Sequence, residues 1–449
     1  MPTRKPPKAR EADTVTSSDA PPETPGASAR SVAVQALIRV LRDGAFGAAA
    51  LSAELERADG LAERDRALAT ELLYGTLRLK TALEARLAPL APRGLKDVVV
   101  KAELLIAAYQ LLSLDRIPAF AAVNAAVNGV RAARGKQVAG FANAVLRKVA
   151  QGEKLSSTSA ARQNIAPWLQ QALEQSVGEA EAQALIVPPT EKVVGLRLVA
   201  DKSVPDWLKS SAVGRVSPRS RLISGAGDPR KREGYAEGAF VVQEEGAQAI
   251  ALALGARSGE RILDACAGRG QKTSLFSEQV GNSGKVWATD VYPKKLEALS
   301  SEYERLRLTP PELRAVDWTV GVGDVPADFD RALIDAPCTG TGTLRRRPEI
   351  AARLVPEDPA RLSALAESIL RAAATRVRPG GRVVFAVCSV LEAECEAVVQ
   401  RVLDILEPAP FDAPELQSLW QADRTPLAFR IGPSEFATDG YFAASFLKR

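Results

Sequence analysis

The sequence predicts a doubly wound α/β domain in its C-terminal half, with an all-α domain ahead of it. Three observations carry this. From about 236 onward, the short apolar runs RILDA, KVWATD, RALIDA and RVVFAV alternate with helical stretches. From about 30 to 150, apolar residues recur at three- and four-residue steps, as in AVQALIRVL and AELLIAAYQLL. The chain has 449 residues, 46% of them hydrophobic, which suits two to four domains with sizeable cores.

Composition then narrows the function. No apolar run approaches the ~20 residues of a membrane span. The N-terminus, MPTRKPPKAR, has no apolar stretch behind it and reads as no secretory signal. Histidine is absent. That excludes His bases, His metal ligands and every Ser-His or Cys-His pair. The four cysteines, Cys266, Cys338, Cys388 and Cys395, show no CxxC spacing, so no metal site is expected. So few cysteines in so long a chain suit a reducing cytoplasm. Residues 1–150 hold 22 basic and 15 acidic side chains, whereas the remainder holds 37 and 39. A basic N-terminal third is compatible with a nucleic-acid surface and equally with a solvated helical face.

The elements follow in order. Residues 1–28, rich in Pro, Ser, Thr and charge, read as a disordered tail. Residues 29–150 read as all-α, punctuated by Pro92 and Pro118. Residues 151–235 read as a small mixed module or connector. It holds a helical piece near Trp168 to Leu185, the strand-like KVVGLRLVA, and the basic stretch SPRSRLISGAGDPRKREG. Residues 236–449 form the α/β domain.

In that fold, ligands bind at the carboxyl ends of strands. RILDACAGRGQKT is a strand, a Gly-bearing turn and a helix start, and Gly268 and Gly270 allow close backbone approach. The spacing lacks the third glycine of a dinucleotide loop. Asp264, Asp290, Asp317 and Asp335 fall at four successive strand ends. Singly, each reads as well as a cap. Together they suit a zwitterionic, adenosine-bearing ligand such as S-adenosylmethionine. Cys338 and Cys388 also follow strands, so two thiols flank one cleft, unless they are simply buried apolar residues. Arg345, Arg346 and Arg347 follow a GTG turn and read either as phosphate ligands or as a solvated loop.

The order DACAGRGQKT, ATD, VDW, LIDAPCTGTGTLRRRPEI and VVFAVCSVLEAECEAVV resembles the RNA cytosine-5 methyltransferases of the RsmB/Nop2/Sun type. FVVQEEGAQAIA resembles the lead-in to the first strand, and DGYFAASFLKR the closing strand. RDRALATELLYGTLR and AAVNAAVNGVRAARGKQVAGFANAVLRKV resemble the NusB-like domain of the bacterial RsmB proteins. The resemblance implies a Rossmann-like, S-adenosylmethionine-dependent methyltransferase domain behind an RNA-binding NusB-like domain. The implied partner is RNA, 16S rRNA or a small-subunit precursor, methylated by a cytoplasmic monomer.

The resemblance also implies roles. Cys266, Ala267, Gly268, Arg269, Gly270, Gln271 and Lys272 wrap the cofactor. Asp290 takes its ribose and Asp317 its adenine edge. Asp335 lies between cofactor amine and target base. Cys388 is the nucleophile, and Cys338 assists product release. There are departures. The family loop reads CAAPGGKT, so Arg269 and Gln271 are unusual. The RHP triplet reads Arg346-Arg347-Pro348, and Cys395 stands at the Asn of an ENE-like segment. Three alternatives stand beside this reading. One is a DNA cytosine-5 methyltransferase using Cys338, another an RNA-binding scaffold with a degenerate domain, and the last a nucleotide-dependent oxidoreductase.

Overall fold

The computed structural model describes residues 28–187, 193–225, 227–419 and 426–449. The tail expected over 1–28 therefore lies outside the described residues, apart from Ser28. That residue caps the first helix, its hydroxyl accepting from the Ser31 amide at 3.1 Å.

The N-terminal region is helical through residue 186. Helices Ala29–Asp43, Glu63–Arg78, Val98–Ser113 and Ala119–Val149 pack around one aliphatic core. Val98–Ser113 is apolar on nearly all sides and buried, as a central helix must be. Helices Ser157–Gln163 and Pro167–Ile186 add Ala161, Leu169, Leu173 and Leu185 to the same core. The switch to strands comes at Val193.

Strands β1 (Val193–Leu198), β2 (Ala212–Val213), β3 (Ser220–Ser224) and β4 (Phe240–Val242) form an antiparallel sheet ordered β2-β3-β1-β4. The alternation in KVVGLRLVA marks β1 correctly. It would also send Arg197 into water, yet Arg197 is fully buried. Its guanidinium donates to Gln243 Oε1 (2.9 Å) and Ser274 Oγ (2.8 Å) and pairs with Glu278. This ion pair fastens the small sheet to the large domain.

The large sheet has eight strands: β5 (Arg261–Asp264), β6 (Lys285–Asp290), β7 (Glu312–Ala315), β8 (Phe329–Asp335), β9 (Val377–Val387), β10 (Leu406–Pro408), β11 (Ala428–Ile431) and β12 (Tyr441–Lys448). The order is β10-β12-β9-β8-β5-β6-β7, with β11 on β12. β5 to β9 are parallel, as the alternating pattern requires, and β10, β11 and β12 pair antiparallel. The chain runs outward from β5 through β6 and β7, then returns to β8 on the other side of β5. This is the topological switch point where such folds bind ligands. No described helix is long and apolar enough to cross a membrane.

The helical core reaches the loops at the switch point. Leu344, Ile350, Ala351, Val390 and Leu391 belong to it. Burying a side chain such as Leu344 contributes about 1.5–3 kcal/mol. Gly47 N donates to Glu349 Oε1 (2.9 Å) and Arg78 to the Arg345 carbonyl (2.7 Å). The loops at the switch point are thus held from the helical side as well as by the sheet.

Candidate active site

The site starts with the turn after β5. Ala267 N bonds Thr289 O at 2.8 Å, tying the turn to β6. Gly270 has φ +78°, and a Cβ there would stand 2.4 Å from Leu299. Glycine is required on both counts. The helix Gln271–Val280 then begins, pointing its first amides at the switch point. Asp290, ending β6, accepts from Gly268 N (3.1 Å) and Tyr292 N (2.9 Å). Asp317 lies two residues past β7. It is exposed, and its carboxylate accepts from Thr319 N (2.9 Å) and Oγ1 (2.6 Å).

Asp264, ending β5, is buried and takes the Thr273 hydroxyl at 2.7 Å. Its Oδ1 has no hydrogen-bond partner among the described residues. Burial pushes its carboxyl up to about 7, against the pull of Thr273 and Lys272. An orphaned carboxylate oxygen is what a ligand ammonium requires. A Cβ at Gly268 would meet no atom within 4 Å, so the turn leaves open space for a ligand. The turn therefore fits S-adenosylmethionine. The two unusual loop residues leave this frame clear. Gln271 turns away and donates to Val242 O of β4 at 3.0 Å, and Arg269 is exposed.

Beyond the turn lies a cavity of about 370 Å³. Gln271, Lys272, Asp335, Arg346, Arg347 and Cys388 line it from the large domain. Lys272 Nζ pairs with Asp335 at 2.5 Å. Burial opposes the ammonium, but Asp335 and Asp264 outweigh it and hold Lys272 above its ordinary value. Val194, Gly195 and Val242 of the small sheet form the facing wall, which sequence reasoning did not assign to the site.

The parallel register pairs Asp335 with Ala386. Cys338 and Cys388, three and two residues further on, meet at 3.5 Å between sulfurs. The contact with Cys338 lowers the Cys388 pKa, and Arg347 and Lys272 pull the same way against burial and Asp335. The same contact raises Cys338 well above the ordinary thiol value, with burial adding to the effect. Of the two sulfurs, Cys388 is the one whose ionisation is favoured. Cys395 is buried and raised by that burial, as an inert cysteine should be, and burial likewise raises Cys266.

A buried polar knot fixes both cysteine loops. Glu394 accepts from Thr339 N at 2.7 Å and from the hydroxyls of Thr339 and Ser389. Thr341 Oγ1 meets Ser389 Oγ at 3.0 Å and takes Val390 N at 3.2 Å. Gly342 N bonds Cys388 O at 3.0 Å, and a Cβ at Gly342 would stand 2.0 Å from Gly440 O. Glu394 is the first Glu of the ENE-like segment, and only the fold shows that it ties the two cysteine loops together.

The three arginines separate. Arg346 donates to Asp439 Oδ2 at 2.7 Å, and Arg345 bonds Asp439 and the Ala437 carbonyl. Asp439 is fully buried, so these two arginines first neutralise it. Arg347 is exposed at the cavity and has no side-chain hydrogen bond among the described residues.

Comparison with known proteins agrees with this geometry. Residues 251–447 match the family of 16S rRNA methyltransferase RsmB/F, and residues 27–151 match the NusB family. Ribosomal RNA small subunit methyltransferase B of Pseudomonas putida is 31% identical, over 93% of this chain and 98% of that one. The Vibrio cholerae protein of that name is 30% identical, over 94% and 97%. The solved structure of PH0851 superposes with a TM-score of 0.79 at 20% identity, over 93% of this chain and 98% of that one. NSun6 from Pyrococcus horikoshii with SFG gives 0.54 at 16%, over 63% and 98%. Both show the fold. The chain belongs to the small-subunit rRNA methyltransferase B family, S-adenosylmethionine-dependent enzymes with a NusB-type helical domain ahead of the methyltransferase domain.

Proposed function

We infer that the protein methylates carbon 5 of a cytosine in RNA, in 16S rRNA or its precursor, through a covalent adduct on Cys388. The observation that carries this is the thiol pair. Cys388 is held as the more acidic sulfur, 3.5 Å from Cys338, beside Lys272 and Arg347. Carbon 5 of cytosine is a weak nucleophile, so the reaction needs a group that adds next to it.

The Cys388 thiolate adds to C6, breaking the C5–C6 π bond and placing the electron pair on C5. S-adenosylmethionine held at the turn after β5 would supply an electrophilic methyl group, which C5 would take with its electron pair as the methyl–sulfonium bond breaks and S-adenosylhomocysteine is left. The C5 proton then leaves, the C6–sulfur bond breaks, and the electron pair restores C5–C6 while Cys388 returns as thiolate. Cys338 lies 3.5 Å from Cys388 at rest. Once Cys388 is bonded to carbon, its charge no longer raises Cys338, which is then the nearest protein sulfur to take the C5 proton. Asp335 hydrogen-bonds the base at N3 or N4, and Lys272 keeps that carboxylate in place. Asp264 and Asp290 hold the cofactor ammonium and ribose, with Asp317 at its adenine edge. The target base must leave its stack to enter the cavity, so a loop or single strand is the substrate. Arg347 takes an adjoining phosphate. All these residues lie on one chain, which supports a monomer, and an rRNA substrate places the work in the cytoplasm.

The DNA reading would make Cys338 the nucleophile, and its raised pKa disfavours that. The test is transfer from tritiated S-adenosylmethionine to unmodified small-subunit rRNA by wild type, Cys388→Ala and Cys338→Ala, followed by digestion to nucleosides. Label in 5-methylcytidine that vanishes with Cys388→Ala is expected. Full activity in Cys388→Ala sinks the assignment, and label in another nucleoside sinks the reaction.

A further inference from the structure

A second, larger cleft opens beside the active-site cavity. It has a volume of about 780 Å³ and lies between the helical domain and the small sheet. Leu51, Leu55 and Tyr74 line it from helices Gly47–Arg57 and Glu63–Arg78, and Val194 and Ile223 from β1 and β3. Val194 also lines the active-site cavity, so the two spaces adjoin. Tyr74 lies within the electrostatic reach of Arg346, Arg347 and Glu349, on the loop that bounds that cavity.

Its charges are not those of a phosphate site. Asp228 and Arg230 pair with each other through two contacts at 2.9 and 3.0 Å. Arg66 donates to the Leu55 carbonyl at 3.2 Å, and Glu56 takes the Ser52 hydroxyl at 2.9 Å. Glu63 is left with no side-chain partner among the described residues, and the Tyr74 hydroxyl likewise. A free carboxylate repels phosphate and accepts from amino groups, such as N4 of cytosine. Aliphatic walls with one aromatic ring suit a nucleobase face. A cleft of this size holds a ligand of nucleotide dimensions.

We propose that this cleft is a subsite for an unstacked, amino-bearing base of a nucleotide flanking the target cytosine. The base lies against Tyr74, Leu51 and Ile223 and its amino group faces Glu63, while the intervening phosphate stays at Arg347. The subsite rests on the reading that the smaller cavity takes the target base. It extends that reading by requiring that the helical domain grip a splayed base and not only the RNA backbone.

The test uses full-length protein and an RNA loop bearing 5-iodocytidine, which keeps the N4 amino group, at each position flanking the target in turn. Irradiation is expected to cross-link one flank to Tyr74. Ala67→Trp and Ala48→Trp, both exposed residues on the cleft wall, fill it from two different helices. Each is expected to raise KM for RNA at least tenfold with kcat and cofactor affinity unchanged and the melting temperature kept. Glu63→Gln is expected to narrow the preference for cytosine over uracil at the cross-linked position. Wild-type KM in both Trp variants, or cross-links that avoid Tyr74 from every position, would overturn the subsite. RNA binding is measured beside methyl transfer. A wild type that makes no 5-methylcytidine breaks the underlying reading, while the binding comparison still decides the subsite.

Discussion

The two edges of the large sheet treat charge in opposite ways. At the amino edge, Arg331 on β8 is buried and saturated. Its guanidinium bonds Glu260 at 2.8 and 3.0 Å, Asp412 at 3.2 Å and the Leu254 carbonyl at 3.1 Å. Asp330 beside it takes Arg261 N at 2.8 Å and Arg378 at 2.9 Å. At the carboxyl edge, pairing is incomplete. Among the described residues, Asp264 keeps an orphaned oxygen, the Arg347 guanidinium has no hydrogen bond, and two thiols meet at 3.5 Å. One edge holds the sheet together, and the other retains binding capacity for a ligand. Unsatisfied polar groups, more than charge density, mark the working edge.

Breaking the carboxyl edge at its proposed nucleophile gives the largest effect. Cys388→Ala is expected to lower methyl transfer by about 10³-fold or more with stability kept, read by label in 5-methylcytidine and by melting. Gly270→Ala damages the same edge through the backbone. The left-handed φ costs about 1–2 kcal/mol, and the clash with Leu299 costs about 1–3 kcal/mol more. Denaturant midpoint and cofactor affinity are both expected to fall.

Arg331→Leu probes the other edge. It frees Glu260 and leaves Asp412 with Arg257 alone. The partners are partly exposed, so the loss is expected to be about 2 kcal/mol, below that of a fully buried pair. Methyl transfer at low temperature is expected to stay near wild type. An active-site defect without destabilisation would dissolve the contrast between the edges.

Asp264 sharpens the comparison through pH. Its folded pKa, about 7, is raised above the ordinary 3.8. Between those values the folded carboxyl holds a proton that the unfolded one has released, so its contribution to stability falls as pH rises through that window. A cofactor ammonium needs the carboxylate. Binding at pH 6 is therefore expected to release a proton, and affinity to fall as pH drops below about 7. Calorimetry in buffers of different ionisation enthalpy reads this, and Asp264→Asn is expected to abolish the release. The smallest effect is at Arg347. Arg347→Ala is expected to reduce the slope of log affinity for RNA against log salt by about one.

Much of this was legible because its signals are local. RILDA, KVWATD, RALIDA and RVVFAV became β5, β6, β8 and β9, each short and bounded. β10 and β11 gave no signal, being three and four residues long, with Pro408 ending β10. The acids at strand ends and the two cysteines that meet beside the cavity were readable from position. Which of them stayed unpaired was not. Arg345, Arg346 and Arg347 look alike in sequence, and only Asp439, about ninety residues away, separates them.

The sequence by itself determined the element types, the parallel order from β5 to β9 and the residue types at the carboxyl edge. These follow from hydrophobic period and chain direction, which act over ten residues or fewer. Tertiary structure decided what depends on distance and desolvation. It set Cys338 and Cys388 3.5 Å apart across fifty residues, buried Arg197 against its pattern and brought Glu349 to Gly47 across 302. It also set which thiol ionises more readily. A pKa or an ion pair is a property of neighbours in space, and neighbours in space are fixed only when the chain has folded.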